Sequence, residues 1–153
     1  MQSKQQCPIC SGQGVMPTPR GELYQRCPLC DGLGHAQAGQ EFHAYGAYAA
    51  LAANAVDVDA SIMIDEYPWR LLYLTAESQG AFSALLGDVG RNKDFSNIAL
   101  HWKTLFGNAQ NPFPIGIAPY TFAPRASIKV QLNDLSGAGN DVYLTFHGVY
   151  LIG

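Results

Sequence analysis

Charge is what this chain has least of. Asp, Glu, Lys and Arg make up 14% of its 153 residues, well under the roughly 25% of an ordinary soluble domain. The formal net charge is −3, and no Lys/Arg stripe of the kind a nucleic-acid binder needs is present, so nucleic acid is not an expected partner. No apolar run approaches the ~20 residues of a membrane-spanning helix, which removes the membrane as well. The opening Met-Gln-Ser-Lys-Gln-Gln lacks the apolar stretch of a secretory signal, and synthesis in a reducing cytoplasm is the expectation. Catalytic motifs are missing too: there is no G-x-S-x-G, no H-E-x-x-H and no P-loop. Ser136 falls in a Gly-rich turn, and His35, His43, His101 and His147 are scattered. Asp57, Asp59 and Asp65 could share a strand face, but calcium takes 6–8 oxygens from a shaped loop, and a solvated face is the simpler reading. No enzymatic activity is expected.

Cysteine is absent from all but one short region. All four cysteines lie in two copies of an eight-residue unit, C-P-x-C-x-G-x-G, at Cys7–Gly14 and Cys27–Gly34. The resulting C-x2-C-x16-C-x2-C spacing is that of a tetrathiolate zinc site. A C-x2-C turn aims two sulfurs at one point, and two such turns supply the four ligands of a closed structural site. Glycines after each pair allow positive φ and leave amides free to face the sulfurs, and Pro8 and Pro28 stiffen the turns. Two disulfides, four free thiols or redox-active pairs are the alternatives. Disulfide frameworks belong to secreted chains, and a redox C-x-x-C sits at a helix start, which the Gly-rich tails do not favour. Cys7, Cys10, Cys27 and Cys30 are therefore the expected ligands of one structural Zn2+ per chain, with His35 a bystander.

The repeated C-x-x-C-x-G-x-G unit resembles the cysteine-rich zinc domain of DnaJ-type chaperones. That family has four such units and two zincs; this chain has two units, enough for one. The His-Pro-Asp of the J-domain is absent, so the resemblance covers about 29 residues and implies a zinc knuckle in place of a co-chaperone.

Three segments follow from composition and periodicity: a zinc module at 1–35, a linker or extended arm at 36–55, and a β domain at 56–153. Val15–Arg26 reads as a hairpin or loop with a turn at Arg20-Gly21. The alanines of 43–55 favour helix, but Gly46, Asn54 and the lack of a 3.6 period tilt the reading to an extended strand or arm packed against a neighbour. Val56–Ile64 alternates with Val56, Val58, Ala60, Ile62 and Ile64 on one face, as a half-buried strand does. Trp69–Thr75 is more fully apolar and reads as a central strand. Gly80–Leu86 places Phe82, Ala84 and Leu86 together. Gly87–Asn111 is a long polar crossing, with Asn97–Phe106 open to a short helix or a strand. Ile115–Phe122 is a further apolar segment, and Ala126–Leu132 a strand with Ala126, Ile128, Val130 and Leu132 on one side. Asn133–Asp141 reads as a hairpin turn returning into a last strand, Val142–Ile152. Many short strands with Gly/Pro turns and no βαβ alternation predict a mainly β fold, an antiparallel β-sandwich or jelly roll preceded by the zinc-knuckle module.

Residues from about 56 to 153 are similar in pattern to small β-sandwich structural proteins of tailed bacteriophage virions. The residues that carry this are Ile62, Ile64 and Asp65, then GDVGRNKDFSN (Gly87–Asn97), Leu105-Phe106-Gly107, Pro112-Phe113-Pro114 and above all Phe122–Leu151. The resemblance implies a non-enzymatic virion component: a capsid decoration (cement) subunit, or a neck or tail part. It implies self-association in cyclic oligomers, often trimers, contact with the major capsid or other virion proteins, and a place in the virion after synthesis in the host cytoplasm. A protein-binding adaptor or chaperone-like module built on the zinc knuckles is the alternative. Low charge and eight tyrosines suit wide contacts between subunits, where aromatics are enriched.

Overall fold

The computed structural model describes residues 5–17, 24–27, 30, 32–106, 113–114 and 120–153. Its strands in chain order are β1 (Val15–Pro17), β2 (Tyr24–Arg26), β3 (Gln40–Leu51), β4 (Val58–Asp59), β5 (Ile62–Met63), β6 (Trp69–Ser78), β7 (Phe82–Asp88), β8 (Lys93–Asp94), β9 (Leu100–His101), β10 (Phe113–Pro114), β11 (Tyr120–Phe122), β12 (Ser127–Asp134) and β13 (Asn140–Leu151). The one helix among the described residues, α1 (Trp102–Leu105), is a single turn. The fold is mainly β, and its sheets are antiparallel.

The apolar stretch Leu71–Leu74 within β6 has its explanation in pairing. One edge of β6 bonds to β13 and the other to β10 and β11, so the strand is interior to its sheet, as expected of Trp69–Thr75. That first sheet runs β10-β6-β13-β3, with β11 also on β6; the second runs β4-β12-β7-β8, with β5 on β12 and β9 on β7. Both contribute to one apolar core. Trp69, Leu71, Val142, Leu144 and Phe146 come from the first, and Phe82, Ala84, Ile128, Val130 and Leu132 from the second. The even residues of β12 and the Phe82-Ala84-Leu86 set of β7 are buried, so a period of two does select the inner face. In the crossing, α1 and its successor cap this core: Trp102 stacks on Phe82 at 6.0 Å between ring centroids, and Phe106 lies 5.8 Å from the same ring.

Three expectations are corrected. Residues 36–55 are not a linker or a free arm, and of the extended forms open to 43–55 it is the strand that is seen. Gln40–Leu51 is a full strand paired residue for residue with β13, from Gln40↔Leu151 to Leu51↔Asn140. Its alternation buries Tyr45, Ala49 and Leu51 while Ala44, Gly46, Tyr48 and Ala50 face out, and long-range pairing overrides the helix preference of alanine. The boundary at 56 therefore moves, because the sheet begins at Gln40. Second, Val56–Ile64 is two short strands. Asp59 accepts from the backbone N–H and Oγ of Ser61 (3.1 and 2.5 Å), and Ser61 Oγ in turn takes the N–H of Val130 at 3.1 Å. The serine side chain thus replaces a ladder bond and splits the strand. Third, Asn133–Asp141 does not close a hairpin. β12 pairs with β4, β5 and β7, and β13 with β3 and β6, so the turn carries the chain from one sheet to the other. The Arg20-Gly21 turn and residues 115–119 of the Ile115–Phe122 segment lie outside the described residues.

The crossing turn is organised by one carboxylate. Asp134, 6% exposed, accepts from Ser136 Oγ at 2.6 Å and Ser136 N at 3.0 Å. It also accepts from Gly137 N at 3.0 Å and from Asn54 N at 2.9 Å. The Ser136 hydroxyl above all, then the three amides, hold its pKa well below the usual carboxylate range despite burial. A folded-state pKa below the unfolded value of about 3.9 gives stability that is present above that pH and lost as pH falls beneath it. Asp134→Asn should therefore lower the urea midpoint by a constant amount above about pH 4.5, and the gap to wild type should narrow toward about pH 2. A gap independent of pH would remove the carboxylate charge from this role.

Candidate metal centre

Each C-P-x-C-x-G-x-G unit folds into the same turn. In the first, Gln13 N donates to Cys10 O at 2.9 Å and Gly14 N to Cys10 Sγ at 3.2 Å. In the second, Leu33 N donates to Cys30 O at 3.0 Å and Gly34 N to Cys30 Sγ at 3.2 Å. The units then lock reciprocally: Cys7 N donates to Gly34 O at 2.9 Å and Cys27 N to Gly14 O at 2.8 Å. The relation is a local two-fold, and it explains the last glycine of the motif. Gly14 and Gly34 have φ of +76° and +75°, and a Cβ on either would land on a carbonyl oxygen of the opposite unit, Gly32 for Gly14 and Gly12 for Gly34. Only glycine satisfies both the conformation and the approach. The β1–β2 ribbon joins the two turns.

This places the four sulfurs together. Cys7 and Cys27 Sγ are 3.8 Å apart and Cys10 and Cys30 Sγ 3.7 Å, and all four lie within 4.8 Å of one another. All four are buried and none is in a disulfide. Crowding and burial hold the protons on: the hydrogen bond to Cys27 and then burial push the Cys7 thiol well up, and burial first raises Cys30. A set of buried, converging thiols whose protons a cation would displace is compatible with a metal site. Among the described residues no other group of three or more His, Cys, Asp or Glu side chains converges.

The other candidates lie apart from the cluster. His35 is tied by a backbone bridge to Gln6 and is not in the sulfur group. His147 is half-buried and shares a 3.0 Å hydrogen bond with Thr75 Oγ1; burial lowers its pKa. Asp59 accepts from Ser61, Asp65 accepts from the hydroxyls of Tyr150 and Tyr45 at 2.6 and 3.1 Å, and among the described residues Asp57, Asp59 and Asp65 do not converge as a group.

Sequence reasoning missed the seat of the cluster. The cysteines form a second apolar cluster with Met16, Ala36, Phe42 of β3, Tyr73 of β6 and Val149 of β13. The module thus sits on the outer face of the first sheet and shares its burial. A register shift against His147/Gly148 leaves Leu72 without a partner, and such a bulge turns two neighbouring side chains to one face. Leu72 and Tyr73 both join the cysteine side. Gln5 adds a latch: its amide accepts from Phe42 N at 2.6 Å and donates to Phe42 O at 3.3 Å. The one signal in the sequence was the run Leu71-Leu72-Tyr73-Leu74, too apolar for a strand with a single dry face.

Compared with protein-family models, with curated proteins and with solved structures, the chain matches none of them.

Proposed function

We propose that the chain is a non-enzymatic structural subunit of a bacteriophage particle, capsid decoration ahead of neck or tail, and that Cys7, Cys10, Cys27 and Cys30 hold one structural Zn2+. The observation that carries the metal reading is the sulfur spacing. Bonds of about 2.3 Å to a tetrahedral ion set its ligands about 3.8 Å apart, and two of the sulfur pairs stand at 3.7 and 3.8 Å with all four sulfurs within 4.8 Å. Iron is the other ion suited to four thiolates, and metal analysis separates the two. When bound, the ion would cross-link two turns that no disulfide joins.

The particle reading draws on the pattern of Phe122–Leu151 and on the surface. In this reading the two sheets are the layers of a β-sandwich, and the low charge and the exposed Tyr24, Tyr48, Tyr67 and Tyr143 serve contacts with neighbours. Purified protein should carry about one zinc per chain, and should co-sediment with phage shells assembled without it. Metal-free protein would remove the first half, and protein that stays in the supernatant at saturating concentration the second. The adaptor reading draws on Val15, Tyr24 and Leu33, exposed on the cysteine module; it requires suppression of client aggregation that Cys7→Ser abolishes.

A further inference from the structure

The sheet edges of this protein are unequal. On the first sheet, among the described residues, the edge of β6 away from β13 is met only by the two residues of β10 and the three of β11. Both edges of the second sheet are pairs of two-residue strands, β4 with β5 and β8 with β9. Short, interrupted edges are how β proteins avoid pairing with other chains. β3 is the exception: twelve continuous residues at the end of its sheet, with no proline and no lysine.

Backbone alternation says which of its groups are free. Both polar groups of Phe42 point away from β13, since the Gln5 amide binds them there. Residues two apart share that direction, so Ala44, Gly46, Tyr48 and Ala50 present N–H and C=O at the edge. No described residue bonds to them on that side. Their side chains stand exposed on the outer face. Gln5 closes the window at one end and the strand stops at Leu51, leaving 44–50.

We propose that this window pairs with its own copy, β3 against β3 of a second chain, antiparallel about a two-fold at Ala47. The register follows from the window: Ala44 faces Ala50 of the copy and Gly46 faces Tyr48. The four facing pairs exchange roughly eight backbone bonds at two per pair. Small faces small, and the tyrosine covers the glycine opposite, the arrangement in which an aromatic offsets an edge glycine. Tyr48 is already held upright by its own Tyr143 (ring centroids 4.8 Å) and by a 3.0 Å bond from its hydroxyl to Asp141. The electrostatics permit the approach, because no charged side chain lies in the window and the flanking Glu41 of each copy falls at opposite ends of the pairing. Antiparallel self-pairing closes at two chains, so it specifies a dimer and not a trimer. It gives the self-association that the resemblance implies a location without depending on a role in a particle: binding to shells by a strict monomer would sink this contact and leave that role standing.

Light scattering on a sizing column at about 50 µM should give twice the chain mass. Ala44→Lys with Ala50→Lys sets like charges face to face twice and should weaken the dimer about tenfold to thirtyfold. Ala44→Lys with Ala50→Glu sets opposite charges at the same two places and should keep it. All four substituted side chains are exposed, and thermal melts report whether each variant folds. Amide exchange should slow at Ala44, Gly46, Tyr48 and Ala50 as concentration rises. A wild-type monomer, a trimer mass, or two double variants of equal dimer strength would each overturn the proposal.

Discussion

Stripping the metal from the loaded protein is expected to unfold the two cysteine turns and to leave standing the core to which both sheets contribute. The two cysteine turns hold each other through two backbone bonds, Cys7 N to Gly34 O and Cys27 N to Gly14 O, and neither has an apolar core apart from the sulfurs and the sheet beneath. In such modules the binding free energy of the ion is the folding free energy, about 10–16 kcal/mol for zinc-finger peptides near neutral pH. Removing it asks four buried thiols, Met16 and Ala36 to stay in place on packing alone. Loss of the module then bares Phe42, Leu72, Tyr73 and Val149. At about 1.5–3 kcal/mol for each large side chain returned to water, the sheet loses up to roughly 6–12 kcal/mol of burial, yet Trp69, Phe82, Phe146 and Val130 remain covered from the other side. Chelation should therefore split one thermal transition into two, raise binding of a hydrophobic dye, and speed amide exchange in the two cysteine turns and at Phe42 far more than in β7 or β12. Cys7→Ser should reproduce the chelated state without a chelator. Gly34→Ala should weaken metal retention while keeping all four ligands, since its Cβ meets the Gly12 carbonyl. Exchange rates in the cysteine turns unchanged by chelation would mean that the turns stand without an ion.

The ligands of this centre were legible because they are local. Spacing within each unit fixes which sulfurs converge, and the glycines that follow are required by the same turn. The alternation of Ile128, Val130 and Leu132, or of Phe82, Ala84 and Leu86, was legible for a similar reason, as a period of two is a property of neighbouring residues. What could not be read is what distant strands decide. Ala47–Ala50 looks like helix or arm until twelve residues of β13 lie beside it. Asn133–Asp141 has the composition of a hairpin turn, but composition fixes only that the chain reverses. Whether β13 returns to β12 or crosses to β6 depends on which strands are free to take it. Tyr73 under the sulfurs depends on a bulge opposite Gly148, some 75 residues along the chain, and on no pattern around Tyr73 itself.

That bulge makes Gly148→Ala the most damaging small substitution expected in the sheets. Gly148 faces Leu71 at the register shift, and the Trp69 indole lies over it. An added methyl would land on the carbonyl oxygen of Arg70 and come within 2.7 Å of Cε2 and Cζ2 of Trp69. Neither can give way cheaply. Arg70 belongs to the β6–β13 ladder, paired with Val149. Trp69 is fully buried, its N–H donates to His43 O at 3.1 Å, and Tyr45 packs edge-on at 5.0 Å. Overpacking costs 1–3 kcal/mol where side chains can shift, and with backbone on one side the loss here should reach about 3 kcal/mol. The measurement is a shift of the urea midpoint at unchanged slope. Trp69→Leu removes the ring half of the conflict, so Gly148→Ala should cost less in that background, a coupling that neighbours in contact show and distant sites do not. The consequence extends across the sheet. Val149 and Tyr73 flank the strained pair and form the floor of the cysteine cluster, so pushing β13 from β6 tilts that floor. Gly148→Ala should therefore also release metal faster to a competing chelator, whereas a core substitution remote from the bulge, such as Val130→Ala, should destabilise the protein without changing the release rate. Equal release from both variants would show that the sheet and the metal module do not share their packing.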